Sequence, residues 1–389
     1  MRLLRRLVSL RLLRLAAAVG LIVLVTSAAF ATETRVRSLG GNGDYFEDVA
    51  NVPRWYGSLS SYANTAVLEL GQFDASAGNS ARDQQAVRQG AGALFDLDAG
   101  RRYGTLGLYL CRDGEAADGA GARVLMYGRA WTHAQAGLVV GYRREFDHGE
   151  IDEDLRETLV GLGTRLDLDD TTYLDLAGDW RGTSTDYREP RAQPVLDSRS
   201  WGSFSLRARA FHGPRKGWAL VPVCAYRRDD RWLLGEPPGR PVRRDSWDSR
   251  YGIGVNLFPT GDIMGLVSCE RRLGEKSHYV LNGDGDMRID RATFDMIALR
   301  LGLEARLRPW LSLRAGAFST PDHRREQPAT NFGLTDDFDL SLGIGLHLGD
   351  LDADFLFNDD APFNLGSLMT NAGEGEASTF SSVSLAYRF

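Results

Sequence analysis

The chain has 389 residues, 25% of them charged, and a formal charge of −6. Its mean hydropathy of −0.27 excludes a bundle of membrane helices, but not a barrel, in which only every second strand residue meets lipid. Its acidity argues against a nucleic-acid partner, because phosphate binding needs clustered Lys and Arg.

Residues 1–31 read as an export signal. Arg2, Arg5, Arg6, Arg11 and Arg14 form a basic start, Leu15 to Val25 an apolar core, and Ala29-Phe30-Ala31 a small-x-small cleavage site. The alternative is a retained membrane anchor, which the shortness of the apolar run disfavours. The mature chain is expected to begin at Thr32, and losing five Arg and no acid takes its formal charge from −6 to −11.

Residues 32–63 precede any strand pattern. Over 38–63 the sequence reads SLGGNGDYFEDVANVPRWYGSLSSYA, with two glycines, the acidic pair Glu47-Asp48, then Asn51, Pro53, Trp55 and Gly57. This arrangement resembles the N-terminal segment of the FadL-like outer-membrane transporters, where a Gly-rich start, an acidic pair and an Asn-Pro-Ala-Gly-like turn precede the first strand. Arg54-Trp55-Tyr56-Gly57 stands where that turn stands and departs from it. The resemblance implies a hatch folded inside a barrel near its periplasmic end, marked by Glu47, Asp48, Asn51, Pro53 and Trp55. It also implies hydrophobic or amphipathic solutes. The alternative is a periplasmic tail that merely leads into the barrel.

Residues 64–389 alternate. Phe338, Leu340, Leu342, Ile344, Leu346 and Leu348 share one strand face, with Asp339, Ser341, Gly343, Gly345 and His347 between them. Ile297, Leu299, Leu301, Leu303 and Leu307 oppose Arg300, Gly302, Glu304 and Arg306 in the same way. A period of two is the mark of a strand with a different solvent on each face. Sixteen such runs predict strands at 64–72, 89–97, 102–111, 122–131, 135–147, 155–167, 171–181, 200–211, 217–228, 249–258, 262–272, 293–307, 310–319, 338–348, 351–359 and 379–389. FadL-like barrels usually have fourteen strands, which is the alternative count.

The connections alternate between short turns (98–101, 132–134, 168–170, 212–216, 259–261, 308–309, 349–350) and long polar loops (73–88, 112–121, 148–154, 182–199, 229–248, 273–292, 320–337, 360–378). Outer-membrane barrels sort their connections this way, with tight turns in the periplasm. The fold expected is therefore all-β: a transmembrane antiparallel up-and-down β-barrel with both termini periplasmic. A secreted sandwich or solenoid is the alternative fold, and the lack of a fixed repeat counts against the solenoid. Val383, Leu385, Tyr387 and Phe389 alternate with Ser384, Ala386 and Arg388 up to the last residue. This resembles the terminal aromatic signal read by the outer-membrane insertion machinery, with Tyr387 and Phe389 carrying it. Tyr103, Trp131, Tyr173, Trp180, Trp201, Trp218, Tyr251 and Trp310 lie near predicted strand ends, where such rings favour the headgroup layer.

Charges on the polar strand faces are the candidate solute path: Arg165, Asp175, Asp179, Arg207, Arg209, Arg300, Glu304, Arg306 and Arg314. Facing lipid, an Arg at midplane would cost about 2–4 kcal/mol, so these residues are expected in the lumen. There they form either a structural ladder or a filter for solutes. Neither a zinc-protease helix motif nor a nucleophile elbow occurs, so no enzyme, cofactor or catalytic metal is expected. The three cysteines, at 111, 224 and 269, give neither a disulfide framework nor a zinc pattern. Residues 282–290 carry alternating Asp without the Gly and Glu of a calcium loop, so a solvated external loop is the better reading. The function expected is a porin or channel-type transporter passing small solutes. Its partners would be outer-membrane lipids, the insertion machinery and the solute; the alternative is a non-transporting barrel that scaffolds partner proteins.

Overall fold

The computed structural model describes residues 32–41, 43–70, 89–98, 102–112, 121–148, 152–188, 196–213, 217–235, 240–281, 287–326, 336–357 and 380–389. A strand with leucine on one side and serine or arginine on the other needs hydrocarbon and water at once, and a closed ring supplies both. The strands are β1 (Thr65–Leu70), β2 (Gln89–Asp96), β3 (Thr105–Arg112), β4 (Gly121–Ala130), β5 (Ala134–His148), β6 (Asp152–Asp169), β7 (Thr172–Arg188) and β8 (Leu196–His212). They continue as β9 (Trp218–Gly235), β10 (Arg240–Thr260), β11 (Ile263–Leu281), β12 (Met287–Arg308), β13 (Leu311–Glu326), β14 (Asp336–Leu348), β15 (Leu351–Phe357) and β16 (Phe380–Arg388). Each pairs antiparallel with its sequence neighbours, and β1 closes the ring on β16 in the register Thr65↔Arg388 to Leu70↔Val383. The ring therefore has sixteen strands and not fourteen.

The outer surface is apolar and the inner one polar. On β12 the outward row Ile297, Leu299, Leu301, Leu303 and Leu307 is 42–55% exposed, while Gly302 between them is buried. The row runs from 297 to 307, close to the 9–11 residues that a tilted strand needs to cross hydrocarbon. Just past Ile297 the same outward phase turns polar, and Asp295 pairs with Arg271 of β11 at 2.7 Å. That pair marks one edge of the apolar belt. At the opposite, short-turn end, Tyr103, Trp131, Trp218 and Trp310 are exposed, as are Tyr387 and Phe389, whose rings stack at 6.4 Å.

Two expectations need correction. Much of the long loops at 182–199, 229–248, 273–292 and 320–337 is strand, because β7 to β14 run on as hairpins past the belt. Outside the bilayer both faces of a hairpin meet water, so the apolar alternation that reveals a strand stops while the backbone ladder continues. Tyr173 is not an interface aromatic. It shares the inward phase of β7 with Asp175 and Asp179 and stacks on Phe211 at 4.7 Å. The side chain of Trp201 and residues 282–286 lie outside the described residues.

The two faces make opposite demands, which a substitution can read. Leu301→Arg, at the middle of the β12 outer row, should destabilise the barrel by about 2–4 kcal/mol in lipid. Ser341→Arg on the inward phase of β14 should escape that lipid cost. Urea unfolding in liposomes, followed by heat-modifiable gel mobility, measures both.

Candidate functional site

Residues 32–63 fold inside the ring as a plug. Among its described residues are one short helix, α1 (Glu33–Ser38), and three 3-10 turns at Gly43–Tyr45, Val49–Asn51 and Tyr56–Tyr62. With so little helix, it holds itself by side chains bonded to backbone. Thr32 caps α1 by accepting from the Arg35 N–H at 3.3 Å. Asp48 accepts from the Ala50 N–H at 2.8 Å. Asn51 Nδ2 donates to the carbonyls of Gly43 at 2.6 Å and Phe46 at 2.8 Å. Trp55 Nε1 donates to Asp44 at 3.0 Å. Pro53 sits half-buried in the turn between Asn51 and Trp55.

The wall receives the plug through glycines on the inward strand phase. The Tyr56 carbonyl fills the space a side chain would need at Gly137, and Gly57 in turn lies against the Thr164 backbone. The Tyr45 ring covers Gly252 and Gly254, and Leu39 and Gly40 lie over Gly302 and Gly316. Any larger residue at Gly137 would push the plug's third turn off the wall. Apolar contact adds to this fit: Val36, Leu39, Tyr45 and Phe46 pack against Phe211, Val221, Val223 and Leu266.

Charge fixes the plug's position. On the β12–β15 side, Arg35 donates to both oxygens of Glu304, at 2.7 and 3.0 Å. Arg314 joins Glu304 to Asp354, at 2.5 Å to each. Asp48 lies 3.7 Å from Arg35. On the β6–β8 side, Arg165 clasps Asp175 at 2.7 and 2.9 Å and reaches Glu47 of the plug at 2.6 Å. Arg209 also bonds Asp175, at 2.9 Å, and its guanidinium lies 4.5 Å over the Trp55 ring. Asp179 accepts from Arg207 and Ser205, both at 2.6 Å, and from the Tyr56 hydroxyl at 3.4 Å. Between the two sides, Tyr45 donates to Glu270 at 3.2 Å, and Arg300 stands 3.9 Å from the same carboxylate.

The lumen residues expected from sequence are thus mostly engaged with the plug or with each other. Arg306 stands apart, near the turn where its N–H donates to the Asp262 carbonyl at 2.7 Å. The plug's own Arg35, Asp44, Tyr45 and Tyr56, and the wall acids Glu69, Glu270 and Asp354, were not anticipated. Glu69 and Asp354 occupy inward phases of β1 and β15, which was a usable signal; the plug residues offered none, since their segment has no period.

Burial pushes the Asp44 carboxyl up, but Arg54, Arg250 and Arg209 around it outweigh burial and hold it at about 2. Burial dominates at Asp48 and raises it well above the usual carboxylate range against the pull of Arg35. Below the plug, toward the short turns, lies a cavity of about 1190 Å³ lined by Phe46, Glu47, Tyr173, Phe211, Asn256 and Met264, among others. A row of hydrogen bonds joins Ser312 to His347 Nε2 at 2.9 Å and His347 Nδ1 to Asp352 at 2.6 Å. The connectivity is that of a hydrolytic triad. Ser312, however, is 1% exposed, and a nucleophile needs room for its substrate, so the row is read as a tie across β13, β14 and β15.

No protein-family model and no curated protein matches the chain. Among solved structures, the CymD monoaromatic hydrocarbon channel superposes with a TM-score of 0.46 at 13% identity, over 93% of this chain and 99% of its own. CdiB from Escherichia coli gives 0.47 at 11% identity, over 84% and 62%. The unliganded ferric citrate transporter FecA gives 0.44 at 11% identity, over 75% and 50%. The chain spans about half the length of FecA and of BauA, the ferric preacinetobactin receptor from Acinetobacter baumannii. These are loose likenesses of barrel to barrel, and the fold stands on the strand pairing itself.

Two measurements probe how the plug is held. Glu304→Gln leaves Arg35 and Arg314 inside the barrel without their shared carboxylate, and should weaken plug retention by about 3–5 kcal/mol. Hydrogen exchange over residues 33–38 should speed up accordingly. The second measurement uses pH. Asp44 ionises at about 2 in the plugged state and at about 3.9 once released. As pH falls, the released form takes the proton first, so Asp44's contribution is full above about pH 4 and is lost toward pH 2. Measured against the intrinsic amide rate, which itself slows toward acid, exchange of the plug amides should rise across that window in the wild type. In Asp44→Asn the same component of the rise should be missing and exchange should already be faster at neutral pH.

Proposed function

We propose that this chain is a solute transporter of the bacterial outer membrane, exported by residues 1–31 and closed at rest by residues 32–63. Its short turns and both termini face the periplasm, and it works without enzymatic chemistry, metal or cofactor. The apolar belt and closed ring support a place in a bilayer, and the terminal Tyr387 and Phe389 support delivery by the outer-membrane insertion machinery. The resemblance of residues 38–63 to the FadL-like segment supports membership of that group and small hydrophobic or amphipathic solutes. Sixteen strands rather than fourteen set this chain apart within it.

The observation that carries the reading is the make-up of the closure. A ring of this size leaves a lumen wide enough for an aqueous channel, and a plug occupies it. The plug is positioned mainly by ion pairs and hydrogen bonds, which exchange for water at a net cost of about 0.5–1.5 kcal/mol each. Several buried atoms along it, including Asp48 Oδ2, Asn256 Oδ1, Arg300 Nη1 and Arg314 Nη2, have no hydrogen-bond partner among the described residues. Such a closure parts more cheaply than a purely apolar seal.

A scaffolding role is the second reading. The outward ion pairs Arg228–Asp245 and Arg271–Asp295 beyond the belt favour it, since they give the projecting hairpins a charged outer face.

A reversible lock separates the two. The side-chain oxygens of Thr34 and Ser384 touch, so Thr34→Cys with Ser384→Cys should form a disulfide that ties plug to wall. Liposomes carrying the oxidised protein should lose passage of small solutes, and reductant should restore it. Equal passage in oxidised and reduced protein would refute transport through plug movement.

A further inference from the structure

The corner where the plug begins gathers more carboxyl groups than its salt bridges reach. Asp48, Glu69, Glu304 and Asp354 are gathered inside the barrel around Arg35 and Arg314. Arg35 serves Glu304 and Asp48, and Arg314 serves Glu304 and Asp354. Glu69 is left with hydroxyl and amide partners only: it accepts from Ser384 Oγ and, at 3.1 Å, from the Glu33 N–H. It is 5% exposed and makes no close ion pair among the described residues; Arg37 acts on it but is shared with Glu33 and Asp339. A carboxyl so far from water keeps its proton unless a cation joins it.

The chain's own backbone leads to that place. Asp354 accepts from the Thr32 hydroxyl at 2.8 Å, while Glu69 holds the next residue's N–H. Bond lengths put the Thr32 nitrogen within about 4 Å of both of those donor atoms. We propose that removal of residues 1–31 completes the plug, the new α-ammonium of Thr32 serving as the cation for Glu69 and Asp354. The inference rests on the export reading above. In the cleavage, water hydrolyses the Ala31–Thr32 amide. Ala31 keeps a carboxylate, and the amine freed on Thr32 takes a proton at neutral pH, its ordinary pKa being about 8. The start of α1 would by itself repel a cation, but Asp354 and Glu69, which bond the Thr32 hydroxyl and the Glu33 N–H beside it, outweigh so short a helix. The precursor carries a neutral amide at this atom and lacks the contact, so the plug would lock only once export is finished.

Mass spectrometry of the chain taken from the membrane should give Thr32 as its first residue, and another start overturns the proposal. The pairing is tested on two refolded chains in lipid nanodiscs, one beginning at Thr32 and one with Gly-Ser before it. Hydrogen exchange over 33–38 should be about tenfold faster in the extended chain, the scale of a charge-assisted hydrogen bond. Glu69→Gln should speed exchange in the Thr32 chain and leave the extended chain unchanged or slower. An equal effect of Glu69→Gln in both chains would overturn the pairing. Solute passage through the same nanodisc-grade protein, moved to liposomes, tests the transport reading separately.

Discussion

Charge inside a ring of strands has to be answered by charge, and the rest of this structure follows from that constraint. Within the apolar belt the outer face of the barrel is committed to hydrocarbon, so Arg, Asp and Glu of the spanning strand segments are driven to the lumen. There, a guanidinium buried without a carboxylate would cost several kcal/mol. The wall solves part of this itself, as Arg165, Asp175 and Arg209 show across β6, β7 and β8. The plug solves another part: Arg35 enters beside Glu304, and Glu47 meets Arg165. The N-terminal segment and the barrel interior are therefore one electrostatic unit.

Buried ion pairs add little net stability, but they specify position. The apolar cluster around Leu39, Tyr45 and Phe46 supplies the burial that holds the plug in place, and the ionic contacts decide where it sits. A closure of this composition combines a defined resting place with a modest cost of leaving it. That combination is what the proposed transport role requires.

The barrel was legible because leucine has no choice near lipid. Along 297–307 and 338–348 every second residue is apolar, and all of these but Ala305 are large, so a strand phase follows without knowledge of its neighbours. The same logic fails beyond the bilayer, where β10 and β11 continue through Arg243 to Asp248 and Gly274 to Tyr279 with polar residues on both phases. Tyr173 was misplaced by its nearness to a strand end, although its parity with Asp175 pointed inward. Most of the plug's partners were out of reach, since contacts such as Tyr45 with Glu270 link residues 225 apart in an aperiodic segment and a strand. One signal went unused. Glycines at 137, 252, 254, 302 and 316 all fall on inward phases, where an open channel would have no need of them, and together they trace the plug's footprint.

The central claim is that residues 32–63 occupy the lumen and are positioned there by wall charges. An experimental density map of the mature chain in lipid tests it most directly. Continuous density should run through the ring, with the Arg35 guanidinium against Glu304 and the Trp55 ring beneath Arg209. A ring of sixteen strands with an open lumen, and residues 32–63 lying outside it, would contradict the account.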